Sequence, residues 1–197
     1  MVLHHPIGQR FFRPAQRGLS LLELVAGIAM AAVLCTLAVP PQQGLLARYR
    51  TQSEAHELSN LLLFARSEAI RRGVRVTICR SASPTAARPS CDGGSWSQGW
   101  IAFLDQVDAT DNRPGVLDGN DLILRAAEGR PSVRVEARAT YRDWLAFSST
   151  GRPLGNMGLS NGSFCFVDGK SRRDVVVAVT GRVTVSAPLT FASDATC

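Results

Sequence analysis

The sequence has few histidines and no nucleophile or phosphate-binding motif, and these absences exclude most enzymatic chemistry. Only 3 of its 197 residues are histidine. His4 and His5 lie near the start of the chain, and His56 stands alone on the charged side of a predicted helix. No Ser/His/Asp or Cys/His arrangement and no pair of catalytic carboxylates stands out. We therefore expect a protein that is not an enzyme and that needs no cofactor.

Acidic residues are missing from residues 1–18, a basic segment that also lacks the apolar core of a secretory signal. Its charged residues are Arg10, Arg13 and Arg17, so removing it lowers the formal charge from +6 to +3. A charge of +3 is not by itself typical of a nucleic-acid-binding protein. Because a basic segment stays on the cytoplasmic side of a membrane, the rest of the chain is expected in the periplasm of a double-membraned bacterium.

The sequence does contain one long apolar run, which extends from Leu19 to Val39 and is followed by Pro40. A helix needs about 20 apolar residues to cross ~30 Å of hydrocarbon, so residues 19–40 are predicted to span a membrane. Glu23 is the only carboxylate in this run, and an acid inside a membrane helix marks a functional site by default. We expect its counter-charge to be the α-amino group of a neighbouring copy or homologue, freed by cleavage between Gly18 and Leu19. The alternative is a plain anchor for a monomeric domain, in which Glu23 reaches the lipid headgroups and the N terminus is unprocessed.

A second helix is predicted over residues 45–72 by the spacing of its apolar side chains. Leu58, Leu62, Ala65 and Ala69 recur with the helical period and share one face. Gly73 is in the position of a C-terminal cap. The charged residues are expected on the opposite side of the helix; they are Glu54, Glu57, Arg66 and Glu68.

The pattern after Gly73 changes to strands and loops. The predicted strands are residues 74–79, 100–104, 122–125, 133–137, 145–147, 164–167, 174–179 and 182–186. One long helix followed by strands favours an α+β fold, with a mostly antiparallel sheet packed on the helix. The expected organisation is a leader (1–18), a transmembrane and assembly helix (19–40), the soluble half of the N-terminal helix (41–73) and a β-rich periplasmic domain (74–197).

Four cysteines lie in the part of the chain that is expected outside the inner membrane. An even number of cysteines suits an oxidising compartment and disulfide bonds. We favour the pairs Cys79–Cys91 and Cys165–Cys197, although four cysteines allow three connectivities. A zinc site is the rival interpretation, but the CxxC or histidine spacing that it needs is absent.

An acidic loop between two predicted strands offers oxygen ligands that could hold Ca²⁺. Its members are Asp105, Asp108, Asp111, Asn112, Asp118, Asn120 and Asp121. Their spacing does not fit an EF-hand loop, which has fixed ligand positions and a terminal glutamate. A solvated cluster of turn residues is therefore favoured over a calcium site, for which Asp105, Asp118 and Asp121 are the weak candidates.

The N-terminal pattern resembles that of type IV prepilins. Basic residues, Gly18, an apolar residue, Glu23, a long apolar helix and Pro40 follow in the same order. In that family a dedicated peptidase cuts after the glycine and methylates the new N-terminal amine, which implies processing at Gly18 and Leu19. The residue after the cut is usually Phe, whereas here it is Leu19. Pairing of Glu23 with the amine of another subunit would set the axial register of a helical filament.

Further segments resemble the GspH/FimT family, the H-type minor pseudopilins of type II secretion and the related minor pilins of type IV pili. They are residues 57–73, the strand ending at Cys79, Gly99-Trp100 and residues 101–105, 118–125 and 179–186. The resemblance implies a helix against two small β-sheets and a minor subunit at or near a filament tip. The implied partners are other pilins, the inner-membrane assembly platform and prepilin peptidase.

A role in DNA uptake is the alternative that this resemblance suggests. In some FimT-type pilins of naturally competent bacteria, a Gly-Arg-x-Arg element contributes to DNA binding, and residues 181–184 keep only the first arginine, Arg182. Lys170, Arg172 and Arg173 lie nearby in the sequence. A few cations give weak, salt-sensitive phosphate contacts. The alternative function is therefore a DNA-binding minor pilin for natural transformation.

Overall fold

The computed structural model describes most of the chain, in two compact units. The described residues are 20–38, 42–91, 93–106, 113–119, 121–191 and 193–197. The units are Met1–Pro41 and Gln42–Cys197. The expected leader and the expected cleavage site at Gly18 and Leu19 lie outside the described residues.

The first unit contains one apolar helix, α1, at Leu21–Ala38. It begins after Ser20, whose Oγ accepts a hydrogen bond of 3.2 Å from the backbone N–H of Glu23. This is an N-cap contact, and it satisfies one of the donors that a helix leaves free at its start. Across the stretches that the structure describes, no helix combines the length and apolarity needed to cross a membrane. The membrane helix expected over residues 19–40 is thus not confirmed.

The second unit is organised on a 31-residue helix, α2, at Gln42–Arg72. The predicted apolar face is confirmed, because Leu58, Leu62, Ala65 and Ala69 are all fully buried. The helix ends at Gly73, which has a φ of 70° and donates its N–H to the carbonyl of Ala69 at 3.0 Å. Glycine adopts this left-handed conformation without a steric penalty, which explains why the helix stops there.

The prediction that the charged residues of α2 all lie on its solvent side is wrong. Glu57 is exposed, but Glu54 and Glu68 are only 1% and 8% exposed, and Arg66 is partly buried. Buried carboxylates need a partner, and Glu54 has one in Arg130, whose Nε lies 2.7 Å from Glu54 Oε1. Burial and the neighbouring Glu57 nevertheless raise the pKa of Glu54.

Ten strands follow α2 in the described residues. They are β1 (Arg75–Arg80), β2 (Gly99–Asp105), β3 (Leu122–Glu128), β4 (Arg134–Ala137), β5 (Trp144–Phe147), β6 (Pro153–Gly155), β7 (Gly162–Asp168), β8 (Ser171–Val177), β9 (Val183–Val185) and β10 (Leu189–Thr190). One sheet has the order β3-β2-β1-β5-β6, and the other has the order β10-β8-β7-β4 with β9 also pairing with β8. Each of these pairs is antiparallel, so the expected α+β class is confirmed.

One apolar core joins α2 to both sheets. Leu58 and Leu62 of α2 belong to the same buried cluster as Trp100 of the first sheet and Phe164 of the second. Trp96 meets Phe164 edge to face, with ring centroids 4.9 Å apart. Because each sheet buries one face against this helix, α2 is the element that the two sheets share.

Candidate functional site

Glu23 is the only charged side chain in α1, and it lies in the first turn of the helix. Its side chain and those of its apolar neighbours are exposed, with Leu22 at 80% and Leu24 at 55%. The carboxylate is therefore open to a counter-charge from another molecule. Sequence reasoning missed a second role for this region, since Ser20 and Glu23 form the Ser-x-x-Glu pattern that caps helices. The expected partner group, the amine of Leu19, lies outside the described residues.

Helix α2 carries an exposed apolar stripe in addition to its buried face. Tyr49, Leu63 and Ile70 are 62%, 47% and 51% exposed, and we call them the outer stripe. Each is separated from the next by seven residues or by twice seven. Because seven residues are close to two helical turns, the three side chains lie on one side of the helix. His56 occupies the same spacing and is exposed. The outer stripe gives α2 a second apolar surface that could contact another helix.

Two disulfide bonds hold the β1–β2 loop and the C-terminal tail. They are Cys79–Cys91, with Cα atoms 5.5 Å apart, and Cys165–Cys197, with Cα atoms 5.9 Å apart. This is the pairing that the sequence analysis favours. The second bond attaches the tail to β7, where Ala195 packs in a cluster with Cys165 and Val167.

The four candidate DNA contacts do not form one patch. The guanidinium of Arg172 donates to Asp174 and to the carbonyl of Thr196, and that of Arg173 donates to Gln52 and to the carbonyl of Ser186. These two residues are adjacent in β8, so their side chains point to opposite faces of the sheet.

Lys170 and Arg182 are exposed, but they lie at opposite ends of β8. A seven-residue strand spans about 20 Å at ~3.3 Å per residue. Lys170 and Arg182 are thus far apart, and Arg172 and Arg173 hydrogen-bond to other groups of the protein, so these four residues do not form one continuous basic surface. The structure therefore separates the residues that the sequence grouped.

The acidic loop is held by hydrogen bonds at its start, through Asp105, and at its end, through Asp121. Asp105 is 4% exposed and accepts hydrogen bonds of 2.6 Å from both Arg75 and Thr77. Asp121 accepts from the backbone N–H groups of Gln106 and Asp118, and burial raises its pKa. The described residues contain no group of three His, Cys, Asp or Glu that could hold a metal ion. The remaining candidates, Asp108, Asp111, Asn112 and Asn120, lie outside the described residues.

One contact that sequence reasoning missed joins the two sheets, and we call it the Arg66 clip. Arg66 of α2 donates hydrogen bonds of 3.0 Å to the carbonyls of Gly151, in the β5–β6 turn, and Thr180, in the β8–β9 turn. Gly181 has a φ of +77°, and a Cβ there would lie 2.2 Å from the Gly151 oxygen and 2.7 Å from Arg66 Nε. Only glycine fits this position. The partners are 85 and 114 residues from Arg66 in the sequence, so no local pattern could reveal them.

Comparisons with known proteins give one family match and two matches to solved structures. The family model described as "Type II transport protein GspH" matches residues 54–181, which is more than half of the chain. A crystal structure of the type IV minor pilin FimU of Pseudomonas aeruginosa (strain PAO1) is 19% identical, with a TM-score of 0.49, and covers 71% of this chain and 90% of that chain. A second crystal form of FimU is 18% identical, with a TM-score of 0.47, and covers 69% and 92%. No curated protein sequence gives a significant match. By the extent of the family match, the chain belongs to the GspH family of minor pseudopilins and minor pilins.

Proposed function

We propose that this chain is a minor subunit of a type II secretion pseudopilus or a type IV pilus, and that α1 inserts it into the filament. The observation that carries the proposal is Glu23, a lone acid in an apolar helix whose side chains are exposed over residues 21–35. An exposed apolar helix of this kind needs other molecules to cover it. Other pilin helices would supply both the cover and the charge that Glu23 needs.

The chemistry of assembly would be one ion pair per subunit contact. The Glu23 carboxylate would meet the N-terminal ammonium of a neighbouring subunit in a medium of low dielectric constant. Leaving either charge unpaired there is strongly unfavourable, so only one axial offset between subunits is allowed. Because the contact joins different surfaces of the two subunits, it propagates into a helical filament and does not close into a ring.

Processing and location follow from the same assignment. Prepilin peptidase would cut between Gly18 and Leu19 and methylate the new amine, and the assembly platform of the inner membrane would receive the product. Before assembly, α1 would anchor the protein in the inner membrane by a single pass, with the second unit in the periplasm. The two disulfide bonds support this placement, since disulfides persist in oxidising compartments.

The outer stripe of α2 would be a second assembly surface. Tyr49, Leu63 and Ile70 would pack against helices of adjacent subunits, leaving the two sheets on the filament surface. A minor subunit with this design would act at or near the tip, where it helps to start a filament that serves secretion or pilus formation.

The experiment compares Glu23→Gln and Ser20→Ala in cells that assemble the filament. We expect both variants to be cleaved before Leu19, as measured by mass spectrometry of the N terminus. Glu23→Gln should lower incorporation into sheared filaments by at least about tenfold, because it removes the charge that pairs with the amine. Ser20→Ala removes the helix cap and keeps the charge, so its incorporation should stay near that of the wild type. Normal incorporation of Glu23→Gln, or an uncleaved N terminus in the wild type, would refute the proposal.

A further inference from the structure

A groove of about 680 Å³ lies where three neighbouring strands of the second sheet meet, and we call it the Arg138 groove. Strand β4 ends just before Arg138, β7 begins at Gly162, and β8 ends at Val177, which pairs with Gly162. The groove lining includes the polar side chains of Arg138, Thr140, Asn161 and Ser163 and the apolar ones of Val176 and Val179. No acidic residue of the described part of the chain lines it. Because all of its polar side chains can donate hydrogen bonds, the groove is suited to an anion.

Arg138 supplies the only charge among the described residues that line the groove. Its side chain is exposed and has no hydrogen bond or ion pair to the described part of the chain. The guanidinium groups of Arg66, Arg134 and Arg172, by contrast, all donate to main-chain carbonyls of the protein. The backbone N–H of Arg138 donates to the carbonyl of Ser163 at 3.0 Å, which fixes its main chain beside the groove. A guanidinium with free donors binds a carboxylate through two parallel hydrogen bonds.

Thr140 presents an unpartnered hydroxyl to the same groove. The residue is only 8% exposed, and its hydroxyl makes no hydrogen bond to the described residues. Buried polar groups in folded proteins nearly always have a partner, so that of Thr140 would come from a molecule in the groove. Its position is fixed by Tyr141, which is fully buried and stacks on Phe164 with ring centroids 5.6 Å apart. A Cβ at Gly162 would lie 2.7 Å from the Tyr141 ring and 3.2 Å from Thr140 Cβ, so glycine keeps this arrangement intact.

The apolar side of the groove restricts the kind of anion. Val176 and Val179 are 43% and 50% exposed, and covering them with an apolar group is favourable. A single guanidinium beside two valines therefore fits a monoanion with a small apolar body better than a phosphate, which carries more charge and no apolar surface. No aromatic side chain of the described residues lines the groove, so a nucleobase would find no stacking surface there.

We propose that the Arg138 groove binds a carboxylate that carries a small apolar group. Arg138 would donate to both carboxylate oxygens, and the Thr140 hydroxyl would donate to one of them. Asn161 and Ser163 line the groove as well and offer further donors, and the two valines would contact the apolar group. Such a ligand is either the C-terminal residue of a peptide that ends in a small apolar residue or a small organic acid, and both share this chemistry.

The experiment uses the full chain in detergent, with methyl groups labelled for NMR. We expect isobutyrate to shift the methyl signals of Thr140 and Val176 with a Kd on the order of 1–10 mM, and isobutyramide, which lacks the charge, to leave them unchanged. The peptide Gly-Gly-Val with a free carboxylate distinguishes the two sources. Binding at least about tenfold tighter than that of isobutyrate would support a peptide C terminus, and similar binding would support a small organic acid.

Three variants test the assigned contacts. Arg138→Gln removes the charge and should weaken isobutyrate binding at least about tenfold, and Thr140→Val removes the hydroxyl and should weaken it about threefold. Arg152→Gln is the matched control, since Arg152 is also exposed but does not line the groove, and its binding should not change. Thr140→Val should not lower the melting point of the free protein, because the lost hydroxyl has no partner there.

Four results would overturn the proposal. They are the absence of any shift with isobutyrate, equal shifts with isobutyramide, wild-type binding by Arg138→Gln, and sulfate binding as tight as that of isobutyrate. None of them bears on the incorporation of Glu23→Gln into filaments, so the proposed function is tested separately.

Discussion

Replacing Gly181 by alanine tests whether the Arg66 clip holds the two sheets together. The new Cβ would lie 2.2 Å from the Gly151 oxygen and 2.7 Å from Arg66 Nε, and both distances are far below van der Waals contact. The β8–β9 turn must therefore move away, and Arg66 then loses its hydrogen bond to the carbonyl of Thr180 in that turn. Gly169→Ala is the matched control, because Gly169 also has a positive φ, of +53°, but has open space where the Cβ would stand.

Both variants lose stability through backbone strain, and Gly181→Ala also loses stability through a broken hydrogen bond. An alanine in the left-handed region costs about 1–2 kcal/mol in either turn. Losing this hydrogen bond from a charged donor adds about 1.5–3 kcal/mol at Gly181. We therefore expect a loss of about 3–5 kcal/mol for Gly181→Ala against about 1–2 kcal/mol for Gly169→Ala. For a unit of this size that corresponds to melting points lowered by on the order of 10 °C and of 4 °C.

Thermal unfolding of the fragment Gln42–Cys197, followed by circular dichroism, measures the melting points of both glycine variants. This unit contains every residue of the apolar core. A third variant, Arg66→Met, removes the clip directly, and combining it with Gly181→Ala should cost less than the sum of the two single changes. Equal melting points for the two glycine variants, or strict additivity with Arg66→Met, would show that the clip does not carry the effect.

Two further predictions concern the buried carboxylate and the tail. Because burial and Glu57 raise the pKa of Glu54 above 4.5, the folded state holds this proton more tightly than the unfolded state, and wild-type stability should fall relative to Glu54→Gln as the pH rises above that value. Urea unfolding across this range measures the difference, and parallel pH profiles would contradict it. The double variant Cys165→Ser/Cys197→Ser should lose about 3–4 kcal/mol, because its bond closes a loop of 32 residues. Limited proteolysis should then release the tail, and a tail that stays protected would show that the hydrogen bonds alone hold it.

The sequence predicts the helix and most strands, because their patterns are local. The spacing of Leu58, Leu62, Ala65 and Ala69 defines the buried face of α2 correctly. The eight predicted strands are all present, but β6 and β10 have only 3 and 2 residues and are too short to show alternation. These two short strands form because they pair with β5 and β8, which lie elsewhere in the sequence pattern.

The errors concern residues whose environment depends on distant parts of the chain. The helical pattern predicts that Glu54 faces solvent. In the structure it is buried beside Arg130, which lies 76 positions later in the sequence. The cations Arg172 and Arg173 are neighbours in the sequence, but strand alternation separates them and each finds a partner on its own face. The sequence shows where the charged side chains are, but it does not show which of them the fold will pair with another group.

The Arg66 clip also has a mechanical consequence. In the filament proposed above, force along α2 would act on both sheets, because α2 is the element on which both of them rest. The guanidinium of Arg66 is hydrogen-bonded to one turn of each sheet, so tension along the helix would reach both sheets through the same side chain. They would then respond to traction as a single rigid body, and the surface that they display would keep its shape while the shaft is pulled.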